Sequence, residues 1–382
     1  MTILAVLSRF RPGLWVVGFA ILCAVAYQTQ IRREMADFSV YRTAAMRALQ
    51  AEPLYQESDG HYQFKYLPAF ALAMAPFALL ETEPAKAVWF ALSAILLLVF
   101  VRWSVRALPD RHRPVTAVRW LTVLFMIKFY AHELTLGQTN LLLGVLLVGG
   151  LMALQAGRPR LAGGLIGLAA FVKPYALILL PWLIVSSGMA AAAASASVIA
   201  AGLILPAVVY GWGGNLDLLA GWWRTVTHST SGNLLGADNV SIAAMWAKWT
   251  GVGVPATILA AITMAAILAL TMAVWRRRRH VTHPDYLEYA LLMLLIPLVS
   301  PQGWDYVLLL GTPAVACLVD RWPALTRRWK LATGTSLVLM GLTIFDIMGR
   351  ALYGRFMALS IVTVAALGAV FVLAHLRRAT LA

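Results

Sequence analysis

Charge is scarce in this chain. Only 12% of its 382 residues are Asp, Glu, Lys or Arg, against roughly 25% in an ordinary soluble domain. So few charges cannot clothe a water-soluble globule of this length, and that class is excluded. Cysteine is scarcer still. Cys23 and Cys317 both fall inside apolar runs, which excludes a disulfide framework and a cysteine-rich zinc site. A Walker loop, a GxGxxG turn after a strand, an HExxH pair and a polar stretch long enough for a nucleotide-binding domain are all absent. A nucleotide-driven reaction is therefore not expected.

What fills the chain instead is hydrocarbon, with 61% apolar residues and a mean hydropathy of +0.78. Apolar runs lie at 14–27, 88–102, 117–130, 141–154, 161–172, 175–186, 190–210, 255–275, 286–299, 306–318, 331–347 and 357–376. The expectation is an all-α polytopic membrane protein of about 12 transmembrane helices, forming one integral membrane domain over 1–382. An Ala24-Val25-Ala26 triplet resembles a signal-peptidase site, but the first helix is expected to stay and pack against the later ones. The run 190–201 is rich in alanine and reads as a close-packed helix with small residues at its contacts.

The segment 66–80 is apolar but shorter than the roughly 20 residues a bilayer crossing needs, and it carries Pro68 and Pro76. It reads as re-entrant or interfacial. With that choice, 19 of the 31 basic residues fall in loops on one side: Arg9 and Arg11, the clusters at 102–119, 158–160, 276–279 and 321–330, and Arg377 with Arg378. The positive-inside rule then makes that side, and both termini, cytoplasmic. The net charge of +15 is thus a membrane-orientation signal, and no nucleic acid partner is implied.

The same topology gathers the polar oddities on the extracytoplasmic face. These are the first loop, 31–86, with a juxtamembrane helix; HELTLGQTN at 132–140; the Lys173-Pro174 break; a second large loop, 211–254; and SPQGWDY at 300–306. Irregular polar backbone at membrane depth is tolerated where it lines an enclosed cavity, so one outward-opening cavity is expected.

Each polar group has a plain reading beside a functional one. Asp37 opens an amphipathic helix with Phe38, Tyr41, Ala44, Ala45, Ala48 and Leu49 on one face. It reads as an N-cap, as a general base, or as both. His61, Lys65 and Tyr66 mark the point where the chain re-enters the membrane, as an interfacial belt or as ligand contacts. Lys173 reads as a snorkelling lysine or as a phosphate-neutralising point charge. His132, Glu133, Gln138 and Asn140 form a polar hinge. Asn239 and Ser241 read first as helix caps, as does Asp305 beside Trp304 and Tyr306. Arg224 and His228, four residues apart beside Trp222 and Trp223, share a helical face suited to a phosphate, a sugar or the membrane interface. The carboxylates Asp37, Asp59, Glu133 and Asp305 are the candidates for a metal site.

Taken in order, DFSVY, FKYLPAFALAMAPFALL, LGQTNLLLGVLL, GRPRLAGGLIGLAAFVKPYALILL, NVS and SPQGWDYVLLL resemble glycosyltransferase family 87. These are the polyprenyl-phosphate-mannose-dependent mannosyltransferases of the GT-C superfamily, and the likeness runs over about 37–310. The resemblance implies a GT-C-type helical bundle that transfers mannose, or a related sugar such as arabinofuranose. The donor would be a polyprenyl-phosphate sugar and the acceptor a lipid-linked sugar or glycan on the outer leaflet of a bacterial-type cell membrane, with inversion.

Asp37 matches the family's loop aspartate, Lys173 its Lys-Pro lysine, and Gln138 with Asn140 its Gly-Gln-x-Asn turn. In this reading Asp37 is the base, and Lys173, Arg224, His132 and Lys65 hold the donor phosphate. Tyr41, His61, Tyr66, Gln138, Asn140, His228, Asn239, Trp304, Asp305 and Tyr306 meet the sugars, and no metal or other cofactor is required. The family commonly has Tyr-Pro-Pro where this chain has Tyr66-Leu67-Pro68. It often has a histidine where this chain has Tyr306, a charge that His132 or His228 would then supply. A secondary transporter or flippase is the rival class, although no internal repeat of 37–68 is present.

Overall fold

The structure is a computed structural model that describes residues 12–281 and 283–379. Arg9 and Arg11, on which the N-terminal orientation rests, lie outside them. Among the described residues every regular element is a helix, without a strand. In chain order the helices are α1 (Pro12–Thr29), α2 (Ala36–Leu49), α3 (Pro68–Ala73), α4 (Ala75–Ala78), α5 (Thr82–Arg106), α6 (Val115–Leu136), α7 (Asn140–Gln155) and α8 (Pro159–Val172). They continue as α9 (Leu179–Ser187), α10 (Met189–Ile204), α11 (Ala207–Asn233), α12 (Ile242–Thr250), α13 (Val254–Arg276), α14 (Pro284–Val299) and α15 (Thr312–Arg321). The last four are α16 (Arg327–Gly341), α17 (Phe345–Met348), α18 (Arg350–Ala358) and α19 (Ile361–Ala379).

Every apolar run of the sequence lies on helix, but not each as one straight crossing. Thr82–Arg106, Val254–Arg276 and Asp305–Ala324 are long and apolar enough to cross a bilayer singly. Two further candidates are bent pairs, Met189–Ile204 with Ala207–Thr230 at 91° and Arg350–Ala358 with Ile361–Arg377 at 55°. The sharper bend falls at the Leu205-Pro206 break, and Gly211, with φ 69°, interrupts the helix that follows. Residues 211–233, expected as loop, continue as helix. Several of the remaining apolar helices are shorter, 10–17 residues, and this is a membrane protein.

Sorting by exposure distinguishes centre from periphery. The segment Asp305–Ala324 is 78% buried and α13 only 22%. α14 is apolar on every side and buried along nearly its whole length, as a central helix must be. Close packing between α8 and α10 depends on small residues. A Cβ on Gly163 would lie 2.0 Å from the Ala191 carbonyl oxygen, and one on Gly167 would lie 2.9 Å from that of Ser195. The Gly163-xxx-Gly167 spacing thus lets two backbones touch in an environment where packing, rather than water exclusion, drives association.

The segment 66–80 folds as α3 and α4, of six and four residues. At 1.5 Å per residue neither is near the roughly 30 Å of a hydrocarbon core. Pro68, Ala69, Phe70 and Ala71 are buried, and Phe70 and Phe77 pack edge-on against Tyr41 and Phe38 of α2. The buried face of α2 carries Phe38, Tyr41, Ala44, Ala45 and Ala48. Leu49, assigned to that face from the sequence, is half exposed.

One end of the bundle is closed by ion pairs among the basic clusters. Buried Glu288 receives Arg278, the Arg377 guanidinium at 2.8 Å and the Trp182 indole N–H at 2.9 Å. Asp320 accepts the backbone N–H groups of His112 and Arg113, both at 3.0 Å. Ser300, twelve residues beyond Glu288 and about 18 Å along the chain axis, marks the other end, where the polar segments meet.

Candidate active site

The arrangement is built from the turn between α6 and α7. Gly137 ends α6 in a left-handed conformation, φ 68°, and a Cβ there would lie 2.9 Å from Phe38 Cβ. The turn can therefore sit directly on the first turn of α2. Four further bonds lock it. Met35, itself left-handed at φ 51°, donates its N–H to the Thr135 carbonyl at 2.9 Å. Trp89 donates to the Gly137 carbonyl at 2.8 Å. Buried Glu133 accepts from Asn140 Nδ2 at 2.7 Å and from the Leu141 N–H at 3.0 Å, capping α7 from the preceding helix.

This clasp places Gln138 at a four-way junction. Its Oε1 accepts from Tyr41 Oη at 3.0 Å, from Tyr66 Oη at 3.4 Å and, more distantly, from Lys173 Nζ at 3.5 Å. Its Nε2 donates to Tyr306 Oη at 3.1 Å. Tyr41 and Tyr66 are also bonded to each other at 2.8 Å. Around this hub opens a cavity of about 420 Å³, the size of a small-ligand site. Asp37, Lys65, His132 and Lys173 face into it, with Tyr41, His61, Tyr66, Trp304 and Tyr306. All come from segments that the charge pattern assigns to one membrane face.

Asp37 is not the N-cap of α2. That position is Met35, without a side-chain cap bond, and Asp37 sits in the first turn. Burial pushes its carboxyl above the usual range, while a hydrogen bond from Gln138 and the charges of Lys173, Lys65 and His132 pull it back. Lys65 is shifted downward by burial and partly restored by Asp37. Lys173 does not snorkel. It is 8% exposed, at the extended residue between α8 and the turn Pro174–Ile178, and its ammonium lies over the rings of Tyr66 and Tyr306 at 6.0 and 5.7 Å. Tyr66 likewise belongs to the hub rather than to an interfacial belt.

On the far wall, residues 238–240 and 303–305 pair as a short antiparallel bridge. Val240 donates to the Gly303 carbonyl at 2.7 Å and Asp305 to that of Asp238 at 2.9 Å. Asp305 is buried behind His132, whose Nδ1 lies 3.1 Å from its carboxylate, while the imidazole meets Tyr306 edge-on at 5.1 Å. Asp305 is therefore no helix cap and does not line the cavity.

Four further expectations are corrected. Arg224 and His228 are exposed on α11 and do not line the cavity, because that helix meets the site through another face, where Trp222 donates to the Lys65 carbonyl at 3.2 Å and Thr230 accepts from Gln302 at 3.0 Å. Asn140 is buried against Glu133. Asn239 ties the Asn233 and Pro301 carbonyls, at 3.1 and 2.8 Å, and accepts from the Ser241 N–H. Ser241 caps α12 through the Ala244 N–H, as its plain reading held.

Nor do the four carboxylates converge. Asp59 is paired with Arg47, Glu133 with Asn140 and Asp305 with His132, and no metal-type cluster forms among the described residues. Sequence reading missed Tyr175, Asp238 and Gln302, which line the cavity. Each lies within two residues of a position that was singled out, so proximity was the available signal. Burial raises the Asp238 carboxyl, and nearby Asp305 adds to the shift.

No curated protein and no solved structure matches the chain. A family model does, over residues 64–301, which takes in Lys65, Tyr66, His132, Gln138 and Lys173 but stops short of Asp37 and Tyr41 on one side and Trp304, Asp305 and Tyr306 on the other. The matched stretch is more than half of the 382 residues and carries one wall of the cavity, the α6–α7 turn and the Lys-Pro break, so the chain belongs to glycosyltransferase family 87.

Proposed function

We propose that this glycosyltransferase moves a sugar, read here as mannose, from a polyprenyl-phosphate donor to a lipid-linked or glycan acceptor at the extracytoplasmic face of the cell membrane, with inversion. The observation that carries the reading is the joint placement of one partly buried carboxylate, Asp37, and three cationic or ionisable nitrogen groups, Lys173, Lys65 and His132, around a single cavity. A phosphate leaving group needs the second set and an attacking hydroxyl needs the first. Membership of a glycosyltransferase family sets the transporter alternative aside.

In this scheme the acceptor oxygen forms a bond to the anomeric carbon as the bond from that carbon to the phosphate oxygen breaks. The acceptor proton passes to Asp37, a contribution on the order of 100- to 10,000-fold. The electron pair leaves with the polyprenyl phosphate, where Lys173, Lys65 and His132 stabilise the developing charge. One such donor is typically worth roughly 3 to 4 kcal/mol. Arg224 and His228 have no part in it, given their position on α11. The cytoplasmic placement of the termini follows from the distribution of basic residues.

The test is sugar transfer in membranes containing the wild type or Asp37→Asn, supplied with labelled polyprenyl-phosphate-mannose and native lipid extract, with insertion checked for both. Transfer by the wild type and a loss of two or more orders of magnitude in the variant support the reading. Transfer only from arabinofuranose donors would change the sugar, and no transfer from any polyprenyl-phosphate sugar would overturn it.

A further inference from the structure

A second cavity, about 310 Å³, runs along a different stripe of α2. Its walls include Ser39, Thr43 and Arg47 of the helix, with Asp59, Tyr62 and Phe64 of the loop that follows. Ala36, Val40 and Tyr62 line both this groove and the catalytic cavity, so the two meet across the ridge that carries Asp37. From Asp37 to Arg47 the ridge is ten residues, about 15 Å of helix.

The two chambers differ in charge. The catalytic cavity holds Lys65, Lys173, His61 and His132 beside Asp37 and Asp238, a setting for an anion. Among the described residues that line the groove, the acidic and basic side chains are Arg47 and Asp59, and they neutralise each other through a two-pronged pair at 2.6 and 2.8 Å. Both are largely shielded, at 16% and 20% exposure, and the pair is a planar array of donors and acceptors. Around it stand two hydroxyls. Ser39 bonds back to the Met35 carbonyl at 3.2 Å, and Thr43 makes no hydrogen bond among the described residues. Tyr62 is 57% exposed, and Phe64 adds a buried apolar wall.

We propose that this groove is the acceptor subsite of the transferase, taking a neutral, hydroxyl-rich saccharide whose terminal hydroxyl crosses the Ala36–Val40 saddle to reach Asp37. The inference rests on the function proposed above and adds where the acceptor lies. An anion gains nothing from a self-neutralised ion pair, whereas vicinal hydroxyls both donate to a carboxylate and accept from a guanidinium. The exposed tyrosine face suits the C–H face of a sugar ring. The lysine-bearing chamber is left for the phosphate, so donor and acceptor approach Asp37 from opposite sides of α2.

Two measurements test this on the full chain in nanodiscs. In transfer from polyprenyl-phosphate-mannose to octyl α-mannoside, Thr43→Val, which keeps shape and removes one hydroxyl, raises the acceptor KM about three- to tenfold with the donor KM within twofold. An unchanged acceptor KM, or a raised donor KM, overturns the subsite. In parallel, Thr43→Cys in a Cys23→Ala, Cys317→Ala background is alkylated with and without mannobiose, arabinofuranobiose or octyl phosphate. Slowing of at least threefold by either neutral disaccharide, and not by octyl phosphate, supports the subsite. Slowing by neither disaccharide, or equally by octyl phosphate, overturns it. If the wild type transfers no sugar, the proposed function fails, and the alkylation result alone decides whether the groove binds saccharide.

Discussion

Gln138 Nε2 donates to Tyr306 Oη at 3.1 Å, joining the α6–α7 turn to a residue 168 positions further along the chain. The same side chain accepts from Tyr41, so one amide holds three walls of the cavity in register. Gln138→Leu removes both functions and leaves the buried Tyr306 hydroxyl without its partner, at about 1–3 kcal/mol for an unsatisfied group, while Tyr41 keeps its bond to Tyr66. The expected outcome is a lower unfolding temperature together with a fall in kcat larger than any change in donor KM. A variant with wild-type kcat would mean that the hub is structural only.

Asp37 must be ionised to take a proton, and burial raises its pKa. The acid limb of the rate profile therefore lies above the ordinary carboxylate value of about 3.9. Removing a positive neighbour with Lys65→Met shifts the limb further toward neutral pH. A profile measured on both proteins that moves down, or not at all, contradicts this electrostatic coupling.

The same shift bears on stability. In the interval between the ordinary and the raised pKa the folded chain binds more protons than the unfolded one, so stability falls as pH rises through that interval. Above it, ionised Asp37 is a cost to the fold that Asp37→Asn relieves. Thermal unfolding at neutral pH is expected to show the inactive variant at least as stable as the wild type, a trade of stability for activity.

Lys173→Met removes a buried ammonium from the phosphate side of the cavity. Transfer is expected to fall about 100- to 1,000-fold, the usual scale for one preorganised donor at developing charge, with partial recovery in Lys173→Arg. Arg224→Ala is the contrasting variant. Exposed on α11 and away from the cavity, it is expected to retain activity within about threefold in the same transfer assay.

Gly137→Ala combines a left-handed φ of 68° with a Cβ 2.9 Å from Phe38 Cβ. The backbone term alone is about 1–2 kcal/mol, and relief of the contact displaces the helix turn bearing Asp37. Reduced transfer with retained membrane insertion is the expected result, and full activity would show that the α6–α7 turn tolerates movement away from α2.

Much of this was legible from local properties. The length and position of apolar runs depend on neighbouring residues alone, and they identified a helical membrane protein and the two prolines that keep 66–80 from forming a long helix. Charge bias along the chain grouped into one set the loops that line the cavity. Lys173 stood out because a lysine and a proline interrupt a hydrocarbon stretch, and the Gly137 turn stood out because four polar residues crowd nine positions. These are short-range signals, and they survive folding unchanged.

What only the tertiary structure decided is which polar groups face one another. α11 meets the site through Trp222 and Thr230, which leaves Arg224 and His228 exposed, although their four-residue spacing correctly put them on one face. Asn140 and Asn239 were claimed by buried carboxylate and carbonyl partners that lie seven and 62 residues away. Asp305 was drawn behind His132 by a backbone bridge between Asn239 and Trp304, 65 residues apart. The Arg47–Asp59 groove emerged because a loop folds back on α2. In each case the deciding contact is set by helix orientation and loop closure, quantities that the spacing of residues along the chain does not encode.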